Sequence, residues 1–90
     1  MRIDVSKFGT TLISRPAGRE AFFAARAYTI PKDSVEPIEL DFSNVRVLTP
    51  SWADEFVRGL RQTFGQNRIR ILEGENASVL TTFETLADYS

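Results

Sequence analysis

The side chains best placed to carry chemistry lie in one short stretch, residues 49–58, which holds two hydroxyls, a tryptophan, two acids and an arginine. Ser51 lies at a predicted strand-to-helix turn, where its hydroxyl could be recognised or modified; a phosphate would add a charge of about −2 there. If a partner protein binds this stretch, the candidate contact residues are Thr49, Ser51, Trp52, Asp54, Glu55 and Arg58.

The same hydroxyls also have a structural interpretation, because serine and threonine are favoured caps at the start of a helix. Thr49 could be the N-cap with Pro50 as the first helical residue, or Ser51 could be the N-cap with Asp54 three residues later. Both alternatives are open from the sequence. Trp52 also has two interpretations: it is in helical register with Phe56, which predicts a core position, whereas tryptophan is enriched at protein interfaces as well.

Composition excludes several other kinds of chemistry. The chain has no histidine and no cysteine, so it lacks imidazole bases, thiol nucleophiles and the usual zinc ligands. Asp41 ends a predicted strand and could ligate Mg²⁺ there, but a solvated carboxylate is the simpler interpretation. We expect a protein that is not an enzyme and needs no metal or cofactor.

Charge and hydropathy limit the partners and the location. A formal net charge of −1 gives no basic excess for nucleic acid. The chain has no run of about 18 apolar residues, the length that a membrane-spanning helix requires. The first residues lack the apolar core of a signal peptide, so we expect a cytoplasmic protein.

Strands and helices alternate along the chain and must position residues 49–58. Apolar residues at every second position predict strands at 2–5, 10–14, 38–42 and 67–73, and helical spacing predicts helices at 14–28, 50–64 and 77–89. Helical spacing places Tyr28 on the apolar face of the first helix. The first two strands could form a hairpin. Residues 43–48 either continue the third strand or bend away from it.

The order β-β-α-β-α-β-α predicts a single small α/β domain over residues 1–90. We expect a mixed sheet that is at least partly parallel, with the helices packed mainly on one face.

The sequence resembles the STAS-like domain family, small bacterial relatives of anti-sigma-factor antagonists. The resemblance is carried by a strand ending in Leu-Asp-Phe, by the turn and helix start that follow it, and by the entry to the first helix. The matching residues are Phe8, Gly9, Leu12, Ser14, Arg15, Gly18, Leu40, Asp41, Phe42, Val45, Thr49, Ser51, Trp52, Asp54 and Glu55.

The resemblance implies a non-enzymatic module that regulates by protein–protein contact. Anti-sigma-factor antagonists are phosphorylated on a serine at this turn by a partner kinase with a histidine-kinase-like ATPase fold, and Ser51 is near that position. Here Trp52 replaces the glycine that follows the serine, and we expect its indole to restrict the approach of a kinase. A homodimer is an alternative partner. A small-ligand or nucleotide-binding sensor domain is the alternative function, since ligands of open α/β sheets bind beyond the strand ends.

Overall fold

Five short strands and three α-helices form the fold of the computed structural model, which describes residues 1–89 and side chains through residue 87. The strands are β1 (Arg2–Asp4), β2 (Thr11–Leu12), β3 (Ile38–Asp41), β4 (Val47–Leu48) and β5 (Ile69–Leu72). The helices are α1 (Arg15–Ala24), α2 (Pro50–Phe64) and α3 (Ala77–Tyr89). A π-helix (Ala25–Thr29) extends α1, and short 3-10 turns lie at Val5–Phe8 and Gln66–Arg68. No helix in the described part of the chain is long and apolar enough to cross a membrane.

The strands form two small sheets, and every pairing among the described residues is parallel. One sheet has the order β1-β3-β5, and the other pairs β2 with β4. The first two strands do not form a hairpin, because the 3-10 turn at Val5–Phe8 and Gly9 redirect the chain. Gly9 has φ 128°, a value that favours glycine. The predicted mixed sheet is therefore two parallel sheets, with β4 as a separate strand beyond the turn at residues 43–46.

One face of the three-stranded sheet is buried and the other is polar. Ile38 and Leu40 on β3 are fully buried, whereas Glu39 and Asp41, which alternate with them, are partly exposed. On the polar face Glu39 lies in register between Arg2 and Arg70, and Arg2 Nε is 3.5 Å from its carboxylate. The helices therefore pack on one side of this sheet, as the alternation in the sequence predicts.

α2 contributes the largest part of the core. Trp52, Phe56 and Leu60 are at most 1% exposed, and the Trp52 and Phe56 rings stack with centroids 4.8 Å apart. This confirms the helical stripe predicted for residues 50–64. Burial of two large aromatic side chains supplies much of the hydrophobic stabilisation of so small a domain.

α1 begins as predicted and ends differently. Ser14 is the N-cap, because its hydroxyl accepts a hydrogen bond from the amide of Ala17. The wider π-helix then changes the angle between successive residues, and Tyr28 leaves the apolar face: its side chain is 91% exposed. The core position expected for Tyr28 is wrong for that reason.

α1 and α2 cross closely at a glycine. A Cβ on Gly18 would lie 2.5 Å from the Trp52 carbonyl oxygen and 3.0 Å from its Cα. Any side chain there would push the two helices apart, so Gly18 fixes the position of the first turn of α2.

Candidate functional site

Thr49 caps α2. Its hydroxyl accepts from the amide of Trp52 at 3.5 Å and donates to the carbonyl of Ile13 at 2.5 Å, while Pro50 is the first helical residue. The bond to Ile13 also ties the start of α2 to the end of β2. Of the two capping alternatives open from the sequence, the structure has the one with Thr49.

The Ser51 hydroxyl therefore has no capping role. Ser51 is the second residue of α2 and is partly exposed, and its hydroxyl makes no hydrogen bond to any group in the described part of the chain. It lies at the end of the helix where amide groups are unpaired and the dipole is positive. A phosphate at this position would be accommodated electrostatically by the helix.

Trp52 belongs to the core and not to the predicted partner-binding surface. Its side chain is 1% exposed, so a partner could not contact the indole without opening the domain. The core interpretation of Trp52 is confirmed, and its assignment as a contact residue is wrong. The indole also points away from solvent, so the expected obstruction beside Ser51 is absent.

Ion pairs join the first turns of α1 and α2. We call this set, Arg15, Arg19, Asp54, Glu55 and Arg58, the α1–α2 ion-pair cluster. Arg15 Nη1 is 2.9 Å from Asp54 Oδ2 and 3.1 Å from Glu55 Oε1. Arg19 also approaches Glu55, at 3.5 Å, and Arg58 pairs with Asp54 one helical turn away.

The arginines keep both acids ionised. Partial burial raises the pKa of Asp54, but hydrogen bonds from Arg15 and Arg58 outweigh that effect and hold the pKa below its ordinary value. The hydrogen bond from Arg15 likewise lowers the pKa of Glu55. Exposed pairs of this kind contribute little to stability, so their main effect is to fix a pattern of charge on the surface.

The predicted contact residues thus separate into two groups. Asp54, Glu55 and Arg58 are brought together on one surface with Arg15 and Arg19, which come from another helix. Thr49 is committed to capping, and Ser51 stands free at the edge of this surface.

A groove runs between α2 and α3 beside this surface, and sequence reasoning did not find it. Its volume is about 1030 Å³. Ser51 and Arg15 line one end, and Arg61 and Val57 lie on the α2 side. The opposite side combines apolar residues of β5 and α3 with the polar side chains of Glu73 and Thr85. The lining comes from four separate elements, so no single stretch of sequence reveals the groove.

The apolar lining is only half covered by the rest of the protein. Ile71, Phe83 and Leu86 pack against the core with one side, and Phe83 meets Phe42 edge-to-face at 5.1 Å between ring centroids. Their other sides face the groove.

Arg61 is the unusual polar residue of the groove. Its Nε is buried and has no hydrogen-bond acceptor among the described residues, and none of the described acids lies within ion-pair distance of its guanidinium. A buried donor without an acceptor costs about 1–3 kcal/mol. By contrast, Arg15 and Arg58 in the same groove are both ion-paired.

The acidic side chains at the carboxyl edge of the three-stranded sheet already accept hydrogen bonds from neighbouring residues. Asp41 accepts from the amide of Ser43, and Asp4 accepts from Ser6 and from the side-chain amide of Asn44. These bonds lower the pKa of both carboxyls and stabilise the turns after β1 and β3. Among the described residues no three acidic side chains are grouped as a metal site would require.

Comparison with known families gives one match. A family model described as a STAS-like domain of unknown function matches residues 27–78, more than half of the chain. The matched range contains β3, β4, α2 and β5, and therefore the Thr49–Ser51 turn. Neither the curated proteins nor the solved structures gave a significant match.

Proposed function

This chain belongs to the family of STAS-like domains of unknown function, and we propose that it is a non-enzymatic regulatory module that binds a partner protein. The binding surface is the start of α2 with the α1–α2 ion-pair cluster. The partner class is a regulatory protein, with a histidine-kinase-like ATPase as the first candidate, and Ser51 is the control point.

The free hydroxyl of Ser51 carries this proposal. Because Thr49 caps the helix, the hydroxyl is partly exposed and has no bond to other described groups. A phosphate there would meet unpaired amides and the positive end of the helix dipole, so the fold would tolerate it. The added charge would then change the affinity for the partner and not the stability of the fold.

The burial of Trp52 also supports the proposal. In phosphorylated relatives the residue after the serine is glycine, which leaves the hydroxyl open to a kinase. Here Trp52 occupies that position, but its side chain is 1% exposed and lies in the core. The large residue therefore leaves the Ser51 hydroxyl accessible.

Several features favour binding over catalysis. The chain has no histidine or cysteine to act as a base or nucleophile. Asp54 and Glu55, the acids nearest the turn, are held ionised by arginines, which suits them for charge recognition and not for proton transfer at neutral pH.

Phosphopeptide mapping tests the control point. The protein is isolated from its native host in the presence of phosphatase inhibitors, and the peptide containing Ser51 is examined by mass spectrometry beside the same peptide from Ser51→Ala. We expect phosphate on Ser51 in a fraction of the wild-type molecules. Phosphate confined to other residues, or none under any growth condition, would contradict the assignment of Ser51.

A further inference from the structure

We propose that the groove between α2 and α3 binds an acidic, partly apolar peptide segment of the partner protein, with Arg61 receiving one of its carboxylates. This inference rests on the proposed function and names the chemistry of the partner at the same surface.

The groove has the shape for a chain segment. Its lining runs from Ser51 at the start of α2 to Gln66 just beyond its end. At about 1.5 Å per residue, a 15-residue helix makes this groove roughly 20 Å long. Such a length fits about four helical turns or six to seven extended residues, whereas a small ligand needs a compact cavity.

The floor supplies apolar contacts. Ile71, Phe83 and Leu86 are each half-buried and adjacent to the core, so a partner that covers them removes further apolar surface from water. Phe83 is held in place by its edge-to-face contact with Phe42, so its exposed side is already positioned. A segment with two or three apolar side chains on one face fits this floor in the manner of a helix bound in a groove.

Three arginines and two acids line the groove, and the arginine that is left unpaired favours an acidic segment. Arg61 is the one arginine of the groove with no ion pair in the described part of the chain, and its buried Nε has no acceptor. A carboxylate from the partner would accept from the guanidinium, and a rotation of the Arg61 side chain would bring the buried Nε into the same contact. Glu73 lies in the lining but not within ion-pair distance of Arg61, so it does not fill this role.

Ser51 lies at one end of the same groove. A phosphate there would repel an acidic segment bound along the groove. Phosphorylation of Ser51 would therefore release the segment, which gives the control point a physical mechanism.

A displayed library of random 16-residue peptides, selected against the full chain, tests this proposal. We expect the enriched peptides to combine Asp or Glu with large apolar residues, and their amide chemical-shift changes to map to Val57, Arg61, Ile71, Phe83 and Leu86. Arg61→Gln should weaken binding about tenfold or more, because a hydrogen bond to a charged group is lost. Arg70→Gln, which removes the same charge from the opposite sheet face, should change binding by less than about threefold.

A second pair of variants keeps the test decisive if Arg61→Gln does not fold. Thr85 lines the groove on α3, so Thr85→Glu should weaken the selected peptides and Thr85→Lys should strengthen them. The proposal is overturned if no peptide is enriched, if the enriched peptides are neutral or basic, or if Arg61→Gln binds them as well as wild type. It is also overturned if the chain forms a dimer that Arg61→Gln dissociates, because the occupant is then a second copy.

Failure of this inference is distinguishable from failure of the proposed function. Ser51→Asp should weaken the selected peptides, and higher salt should reduce that difference. If peptides bind in the groove and Ser51→Asp has no effect, the control point is wrong while the groove assignment stands. If no peptide binds but Ser51→Asp still changes capture of a native partner, the regulatory function stands and the groove assignment falls.

Discussion

Replacing each hydroxyl at the start of α2 separately should distinguish the structural role of Thr49 from the free hydroxyl of Ser51. Thr49→Ala removes a helix cap, worth about 0.5–2 kcal/mol, and the hydrogen bond to the Ile13 carbonyl, worth about 0.5–1.5 kcal/mol. We expect the free energy of unfolding to fall by about 1–3 kcal/mol. Ser51→Ala removes no hydrogen bond and introduces the best helix former, so we expect a change of no more than about 0.5 kcal/mol.

Equilibrium unfolding in urea measures both changes. The midpoint should fall for Thr49→Ala at an unchanged slope, which indicates a change of stability alone. Thr49→Ser, which keeps a hydroxyl at the cap, should recover most of the loss. If Ser51→Ala destabilised the domain by more than about 1 kcal/mol while Thr49→Ala was neutral, Ser51 would be the cap and the reasoning would be refuted.

Three further predictions concern packing, pH and ligands. Gly18→Ala should destabilise the domain by about 1–3 kcal/mol in the same urea assay, because its Cβ meets the Trp52 backbone; a gain in stability, as at an exposed helical glycine, would contradict the close crossing. Asp54 and Glu55 have lowered pKa values in the folded state, so their contribution to the free energy of unfolding is present above the ordinary pKa values of 3.8 and 4.5 and is lost as the pH falls below them. The stability difference between wild type and Arg15→Gln should accordingly shrink as the pH is lowered through this range, and a difference that grew would reverse the assigned sign. A thermal-shift panel of nucleotides should give no saturable shift, whereas a clear one would favour the small-ligand alternative.

The position of the turn at residues 49–52 was predictable from the sequence. The change of apolar spacing at Pro50 locates the start of α2, and the register of Trp52 with Phe56 assigns the indole to the core. The choice between Thr49 and Ser51 as cap was not predictable, because it depends on the Ile13 carbonyl, which lies 36 residues away in the chain.

Other features depend on contacts that sequence spacing does not reveal. β4 has only two residues and is stabilised by β2 and by Ser78 and Thr82 of α3, which bond to the backbone of Leu48. The exposure of Tyr28 follows from a π-helix, which a helical period of 3.6 does not anticipate.

The charged surface was predictable only in part. Asp54 and Arg58 are an i,i+4 pair within one helix, and such pairs can be found by spacing alone. Arg15 joins them across 39 residues. The groove that contains Arg61 and Phe83 likewise exists only after α1, α2, β5 and α3 have packed together.

Comparative affinity capture tests most directly whether Ser51 controls a partner protein. Wild type, Ser51→Ala and Ser51→Asp are immobilised at equal density, incubated with lysate of the native host, and the retained proteins are quantified by mass spectrometry. We predict a partner that wild type and Ser51→Ala retain equally and that Ser51→Asp retains several-fold less, with all three domains equally stable. Retention of the same proteins in the same amounts by all three would contradict the regulatory role of Ser51.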